Sequence, residues 1–367
     1  MLTALSAALV AVGAYLVVGP GSPFGGPSCR LAVDRMLDVN EVVRRVDAAG
    51  GEAWAVGSAY VAAVGRPLAL HRGEQGWYAE PVPTDAETET VGLHDVVVLP
   101  TGVMWAVGSV RARAPFAVRW AEGVTRVVTP DLGVDAEWLG VGASPAAGVW
   151  AVGKRTDGAR YRTLIARADG DRFVVVPSPN EGEGNNVLAD VDVAGSAAWT
   201  VGWSYGGDGR FHPLAMRLVD GGWEITPTPA PDGDGFLTTV VAAGDGTAWA
   251  VGWRSVGAEG ARPLVLRYDG SSWATATPPA SGWARLLGAD AAGSRLLVAG
   301  DGRDDDRRAT PAAWISDDGS TWSAVAVGGD GERWFTGVDL GSGGAVVAAG
   351  ASLNDAQRAV GYLATGC

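Results

Sequence analysis

The sequence is poor in the residues that build metal sites and nucleophiles. It holds two cysteines, three histidines and one lysine in 367 residues. Two thiols cannot make a four-ligand zinc site, and His71, His94 and His212 are not spaced as ligands. Charged residues are also scarce, at 19% with a net charge of −13. No basic stripe is present to neutralise phosphates, which excludes nucleic acid as a partner. Walker-type loops, dinucleotide fingerprints, a CxxC pair and a GxSxG elbow are absent as well, so those chemistries have no foothold. Glycine is the opposite case: 55 Gly and 20 Pro exclude a long-helix protein. An apolar fraction of 47% is too high for a disordered chain.

One hydrophobic run stands apart. Residues 1–19 read MLTALSAALVAVGAYLVVG and carry no charge. A Gly- and Pro-rich linker follows, to residue 28. This pattern predicts an export signal or a retained N-terminal membrane anchor, with a buried core helix as the third reading. Either of the first two places residues 29–367 outside the cytoplasm.

The remainder is one repeated unit. WAVG or WTVG occurs at Trp54, Trp105, Trp150, Trp199 and Trp249, and degenerate copies lie at Leu297 and Val347. Their spacings are 51, 45, 49, 50, 48 and 50 residues. The fifth copy shows the grammar: FLTTVVAAG (Phe236–Gly244), a tight turn, WAVGWRS, a polar loop, PLVLRYDG (Pro263–Gly270) and SSWATATPP (Ser271–Pro279). These are four short β runs punctuated by Gly, Asp and Pro. Asp-Gly and Gly-Gly recur at the third turn, where a hairpin needs positive φ. An aromatic residue after that turn is placed to cover the gap between units. Four antiparallel strands repeated every 50 residues predict an all-β, seven-bladed propeller acting as a monomer. A linear solenoid needs polar capping units, and none is visible.

The last copy stops before its fourth strand. Counting back from the first copy puts CRLAVD (Cys29–Asp34) at a fourth-strand position with no blade of its own. The N-terminal strand is therefore expected to complete blade seven. Cys29 then lies opposite Cys367, and a disulfide between them would close the ring. The chain-entropy rule gives such a bond roughly 5–6 kcal/mol. It also implies an oxidising compartment.

This pattern resembles the bacterial secreted β-propeller repeat proteins of the kelch, BNR and WD-like superfamily. ISDDGSTW (Ile315–Trp322) looks like a shortened Asp-box turn of sialidase-type propellers. The resemblance implies the architecture of residues 29–367. Asp boxes lie on the periphery of those propellers, the enzymes are typically six-bladed, and their full catalytic pattern is not identifiable here.

In a propeller the first strand of each blade lines the channel. The loops entering it share a face with the loops between strands two and three. On that face lie Lys154 and Arg155, then Trp203, Tyr205, Trp253 and Arg254. Trp203 and Trp253 follow the motif where other copies carry Ser58, Ser109, Lys154, Asp301 or Ala351, with Tyr205 two residues beyond Trp203, and such rings suit sugar or peptide stacking. Inner strands add Arg44, Arg45, His94, Asp95, Asp190 and Arg285, which would bind a charged ligand or form a self-compensating rim. Paired carboxylates there would permit glycoside chemistry at a suitable separation. Strand alternation keeps His94 and Asp95 from one face. The acidic run Asp301–Asp306 has oxygen ligands for Ca²⁺ but not the twelve-residue calcium loop, and Arg303, Arg307 and Arg308 offset its charge. No cofactor is expected. The leading expectation is an extracellular binding or scaffold module for a glycan or protein. The alternative is a hydrolase or lyase acting on an extracellular polysaccharide.

Overall fold

A computed structural model of the chain describes residues 29–61, 64–84, 90–257, 260–328, 331–341, 343–356 and 358–367. The expected leader, residues 1–28, lies outside the described residues. Among the described residues no helix is long and apolar enough to cross a membrane.

Seven antiparallel sheets form the ring, one for each repeat. The inner strands are Glu41–Ala49, Val91–Val98, Ala136–Ser144, Asn186–Ala194, Gly235–Ala242, Ala284–Ala292 and Arg333–Leu340. Each WAVG motif lies on the second strand. Its Trp faces the neighbouring blade and its Ala and Val are buried. The aromatic residues join the blades edge to edge. Trp105 meets Phe173 at 5.8 Å, Trp150 meets Trp223 at 5.4 Å, and Trp199 meets Trp273 at 5.2 Å between ring centres. Each pair adds about 0.5–1.5 kcal/mol beyond the area it buries.

Every inner strand carries a β-bulge at the same place. The register slips between Val43 and Arg45, between Leu93 and Asp95, and at five equivalent steps. The extra residues are Arg44, His94, Leu139, Ala189, Thr238, Leu287 and Thr336. The last residue of WAVG explains how the bulge is tolerated. A Cβ on Gly202 would lie 2.0 Å from the Val187 carbonyl oxygen, and one on Gly252 would lie 2.0 Å from that of Phe236. The motif glycine leaves room for the strand to fold over it.

Ring closure follows the sequence count. Arg30–Met36 pairs antiparallel with Ala359–Gly366, with Leu31 opposite Gly366. Cys29 and Cys367 are disulfide-bonded across 338 residues of sequence, with Cα atoms 4.8 Å apart. Blade six also takes part: Ala326–Val327 runs parallel to Arg30–Met36 as a fifth strand, and Ala326 N donates to Cys29 O at 3.1 Å. The N-terminal strand is thus held on both edges, which leaves no open edge at the seam.

Two measurements test this construction. Gly202→Ala should cost about 1–3 kcal/mol by forcing the bulge carbonyl aside. Gly244→Ala should be near neutral, since a Cβ there meets nothing within 4 Å; equal thermal shifts for both would refute the steric account. Cys29→Ser should lower Tm as much as reduction lowers that of the wild type. A Tm unchanged by either treatment would show that the disulfide does not hold the ring.

Candidate functional site

The bulges turn seven side chains towards one end of the channel. There Arg44, His94, Leu139, Ala189, Thr238, Leu287 and Thr336 surround an open basin of about 550 Å³, with Glu137 and Ala112 on its wall. A second hollow of about 410 Å³ adjoins it, lined by Ser58, Tyr60, Thr90, Ser109 and Arg111. Arg44, His94 and Ala112 line both.

Arg45 closes the channel beneath the basin. Its guanidinium donates to the carbonyl oxygens of Leu287 (2.7 Å), Thr336 and Thr238 (3.4 Å). It also lies 3.7 Å from Asp95. The bulge carbonyls form a ring of acceptors, and one arginine spans it. Below that plug only about 100 Å³ is free.

The carboxylates below serve as stitches between blades. Asp95 accepts from Val141 N (2.8 Å), Asp190 from Val240 N (2.9 Å), Asp192 from Ala242 N (2.8 Å) and Asp290 from Leu340 N (2.7 Å). In each case the donor belongs to the next inner strand. Burial raises all these carboxyl groups, pushing Asp192 up to about 6 and Asp290 to about 7. Asp339 is raised by burial and then by the charge of Asp47. Asp95 is raised by burial and by Asp190, while Arg45 opposes the shift. Below the plug Asp95, Asp190 and Asp339 are buried and Asp192 and Asp290 half-buried, and most are engaged by backbone N–H groups. They do not form an accessible pair for glycoside chemistry.

The basin differs in charge. Arg44 and Arg111 are exposed, and their side chains make no hydrogen bond or ion pair with the described residues. Arg111 and Ala112 hold φ of 52° and 53° in a turn closed by Arg113 N donating to Val110 O at 2.9 Å. That backbone suits Asn-Gly, so Arg at this place carries conformational strain. His94 donates from Nδ1 to the Trp138 carbonyl oxygen at 2.8 Å. Burial, and next the charge of Arg44 against the opposing Trp138 bond, hold its imidazole below its ordinary range. It is therefore neutral at pH 7, with Nε2 left as an acceptor.

Other candidates from the sequence are placed apart or already paired. Lys154 is bonded to Glu137 at 2.8 Å and lies 4.3 Å over the Tyr161 ring, whereas Arg155 is exposed beside it. Arg285 is held by Asp301 through two bonds of 3.0 and 2.6 Å, so it does not face the channel mouth as a free base. Asp301 is thereby removed from the acidic run. Among the described residues no group of three His, Cys, Asp or Glu is placed to hold a metal ion. Arg254 donates to the Asp232 carbonyl oxygen at 3.1 Å.

Trp203, Tyr205 and Trp253 do come together, through two phenylalanines. Trp203 meets Phe211 at 5.1 Å and Tyr205 meets Phe211 at 5.0 Å. Phe211 meets Phe236 at 5.0 Å, and Phe236 stacks on Trp253 at 4.3 Å. The five rings cross the boundary of blades four and five on the basin face. Four are half-buried, and Tyr205 is exposed. They are therefore blade packing and a surface ridge at once. Sequence reading missed Phe211, Phe236, Tyr60 and Arg111. It kept His94 from Asp95 by alternation, whereas the bulge at His94 is what separates them.

No protein-family model matches the chain, and no curated protein matches it significantly. Solved structures match along most of its length. A protein of unknown function from Dyadobacter fermentans is 12% identical with a TM-score of 0.54, over 92% of this chain and 99% of that one. The β-propeller domain of the trilobed protease from Pyrococcus furiosus, described as having an open velcro topology, is 10% identical with a TM-score of 0.52, over 88% and 95%. An ulvan lyase representing a new family of polysaccharide lyase is 10% identical with a TM-score of 0.56, over 90% and 94%. At these identities the likeness is one of fold. It supports the seven-bladed propeller and no particular repeat family.

The buried acids give a pH prediction. A carboxyl group raised in the folded state contributes stability that is fully present below about pH 4 and is lost as pH rises through the folded value. For Asp192 and Asp290 that loss runs through about 6 and 7. Tm should therefore be higher at pH 5 than at pH 8. Asp290→Asn should reduce the difference, and a Tm that rises with pH over this range would contradict it.

Proposed function

We propose that the protein is an extracytoplasmic binding module that takes an acidic glycan on its basin face. The observation that carries this reading is the free pair Arg44 and Arg111. In a chain of net charge −13 these two guanidinium groups line adjoining hollows without an internal partner. A guanidinium fork matches a carboxylate or sulfate in two parallel bonds. The strain at Arg111 is what a binding residue carries when function outweighs local stability. Tyr60, 42% exposed, stands on the same rim. The ridge of Trp203, Tyr205 and Trp253 supplies flat apolar surface for sugar rings on the same face. The Cys29–Cys367 disulfide supports an oxidising compartment.

A second reading is a polysaccharide lyase at the same hollow. It is favoured by His94, whose Nε2 is an unprotonated acceptor beside Arg44 and Tyr60. Arg44 would neutralise a uronate carboxylate and His94 Nε2 would take the C5 proton; the C–H electron pair would form the C4=C5 double bond as the C4–O glycosidic bond breaks, with the Tyr60 hydroxyl protonating the leaving oxygen.

An array of acidic and neutral polysaccharides tests both. Acidic chains should bind, and the Arg44→Ala, Arg111→Ala double variant should weaken them about tenfold or more while the fold persists. Arg111→Gly should weaken binding yet raise Tm by relieving the turn. Absence of binding to any acidic glycan would sink the proposal. Release of an unsaturated product absorbing in the ultraviolet would favour the lyase.

A further inference from the structure

The repeat departs from its own grammar between blades one and two. In blades two, three and five the second-strand Trp is covered by an Arg from the paired position of the third strand. Arg119 lies 5.7 Å from the Trp105 ring, Arg167 lies 5.7 Å from Trp150, and Arg267 lies 5.3 Å from Trp249. Opposite Trp54 the residue is His71. The outer-strand aromatic of the following blade is replaced as well: where other outer strands bring Phe173, Trp223 or Trp273, blade two brings Val124, and Trp120 of its third strand meets Trp54 at 5.3 Å instead.

At this boundary lies a cavity of about 590 Å³. Its walls include Trp54, Trp120, Tyr78, Glu52 and Glu80, with turn residues Thr101 and Gly102 at one end. Those turns follow the inner strands, so the cavity opens away from the basin. His71 stacks on Trp54 at 4.3 Å and 8°. Its Nε2–H donates to Glu52, and its Nδ1 accepts from the Tyr78 hydroxyl at 2.7 Å. Glu80 reaches the same imidazole only at 4.0 Å. Neither carboxylate has an Arg or Lys ion-pair partner among the described residues. The indole N–H of Trp120, a residue 7% exposed, has no hydrogen-bond partner.

We propose that this cavity is a second binding site, independent of the glycan basin, for a guanidinium or ammonium group. The corresponding hollow between blades five and six, about 430 Å³, carries its own guanidinium, Arg267, beside Trp249, Asp317 and Asp318. Blade one instead leaves two carboxylates and aromatic walls, the combination that holds an organic cation by charge and by ring faces.

The repeat supplies the test. N-butylguanidinium should bind the intact chain in calorimetry, about tenfold or more tighter than uncharged N-butylurea. His71→Arg installs the sister residue and Val124→Trp installs the sister aromatic. Each should fold with a Tm at or above the wild type and lose the guanidinium ligand, while acidic-glycan binding persists. N-acetylarginine amide binding more tightly than N-butylguanidinium would assign the cation to a peptide side chain; the reverse would assign it to a free small amine. Equal binding of urea and guanidinium would overturn the proposal. So would undiminished binding in both filled variants.

Discussion

The structure depends on one close backbone contact, repeated round the ring. The final glycine of each WAVG motif lies under a carbonyl of the inner strand, where any Cβ would collide. That contact lets the inner strand gain one residue against its neighbour. The bulge then turns one side chain to the channel mouth and directs later residues into the channel. Binding chemistry and ring cohesion thus arise from adjacent positions. Arg44 faces the basin and Arg45 the plug; His94 faces the basin and Asp95 a stitch to the next blade.

Charge is sorted by depth. Carboxyl groups in the channel are buried or half-buried, and most accept a backbone N–H of the next blade. Burial raises them, and Arg45 partly offsets the charge of Asp95 and Asp190. At the mouth the sign reverses, because Arg44 and Arg111 remain exposed without internal partners. An acidic protein thereby presents a local cationic hollow, a field that would steer the proposed anionic ligand.

Much of the fold was legible in the sequence because a blade is short and its spacing regular. The seven motifs fixed the blade count. The unpaired segment at Cys29 and the truncated last copy implied strand exchange and the disulfide. The bulge was not legible as such, since one added residue looks like one more step of alternation. Its signal was present in the motif glycine, whose purpose appears only when the opposing carbonyl is placed. Trp203, Tyr205 and Trp253 stood out as departures from the repeat, but Phe211 and Phe236, which join them, did not. Arg285 falls on the self-compensating side of the two readings, because its partner Asp301 lies 16 residues away, on the paired strand. The seam cavity escaped notice because HRGEQGW reads as an ordinary hairpin turn. Only comparison of His71 with Arg119, Arg167 and Arg267 exposes it.

In the proposed function, an acidic ligand over the bulge ring joins fold to function, on a ring closed by the Cys29–Cys367 disulfide. A crystal structure with an acidic tetrasaccharide tests this most directly. The account predicts a ligand carboxylate or sulfate bonded to the guanidinium groups of Arg44 and Arg111, with a neighbouring sugar against Tyr60 or the aromatic ridge. A ligand seated only on the outer rim of the blades, with both arginines still unpartnered, would contradict it.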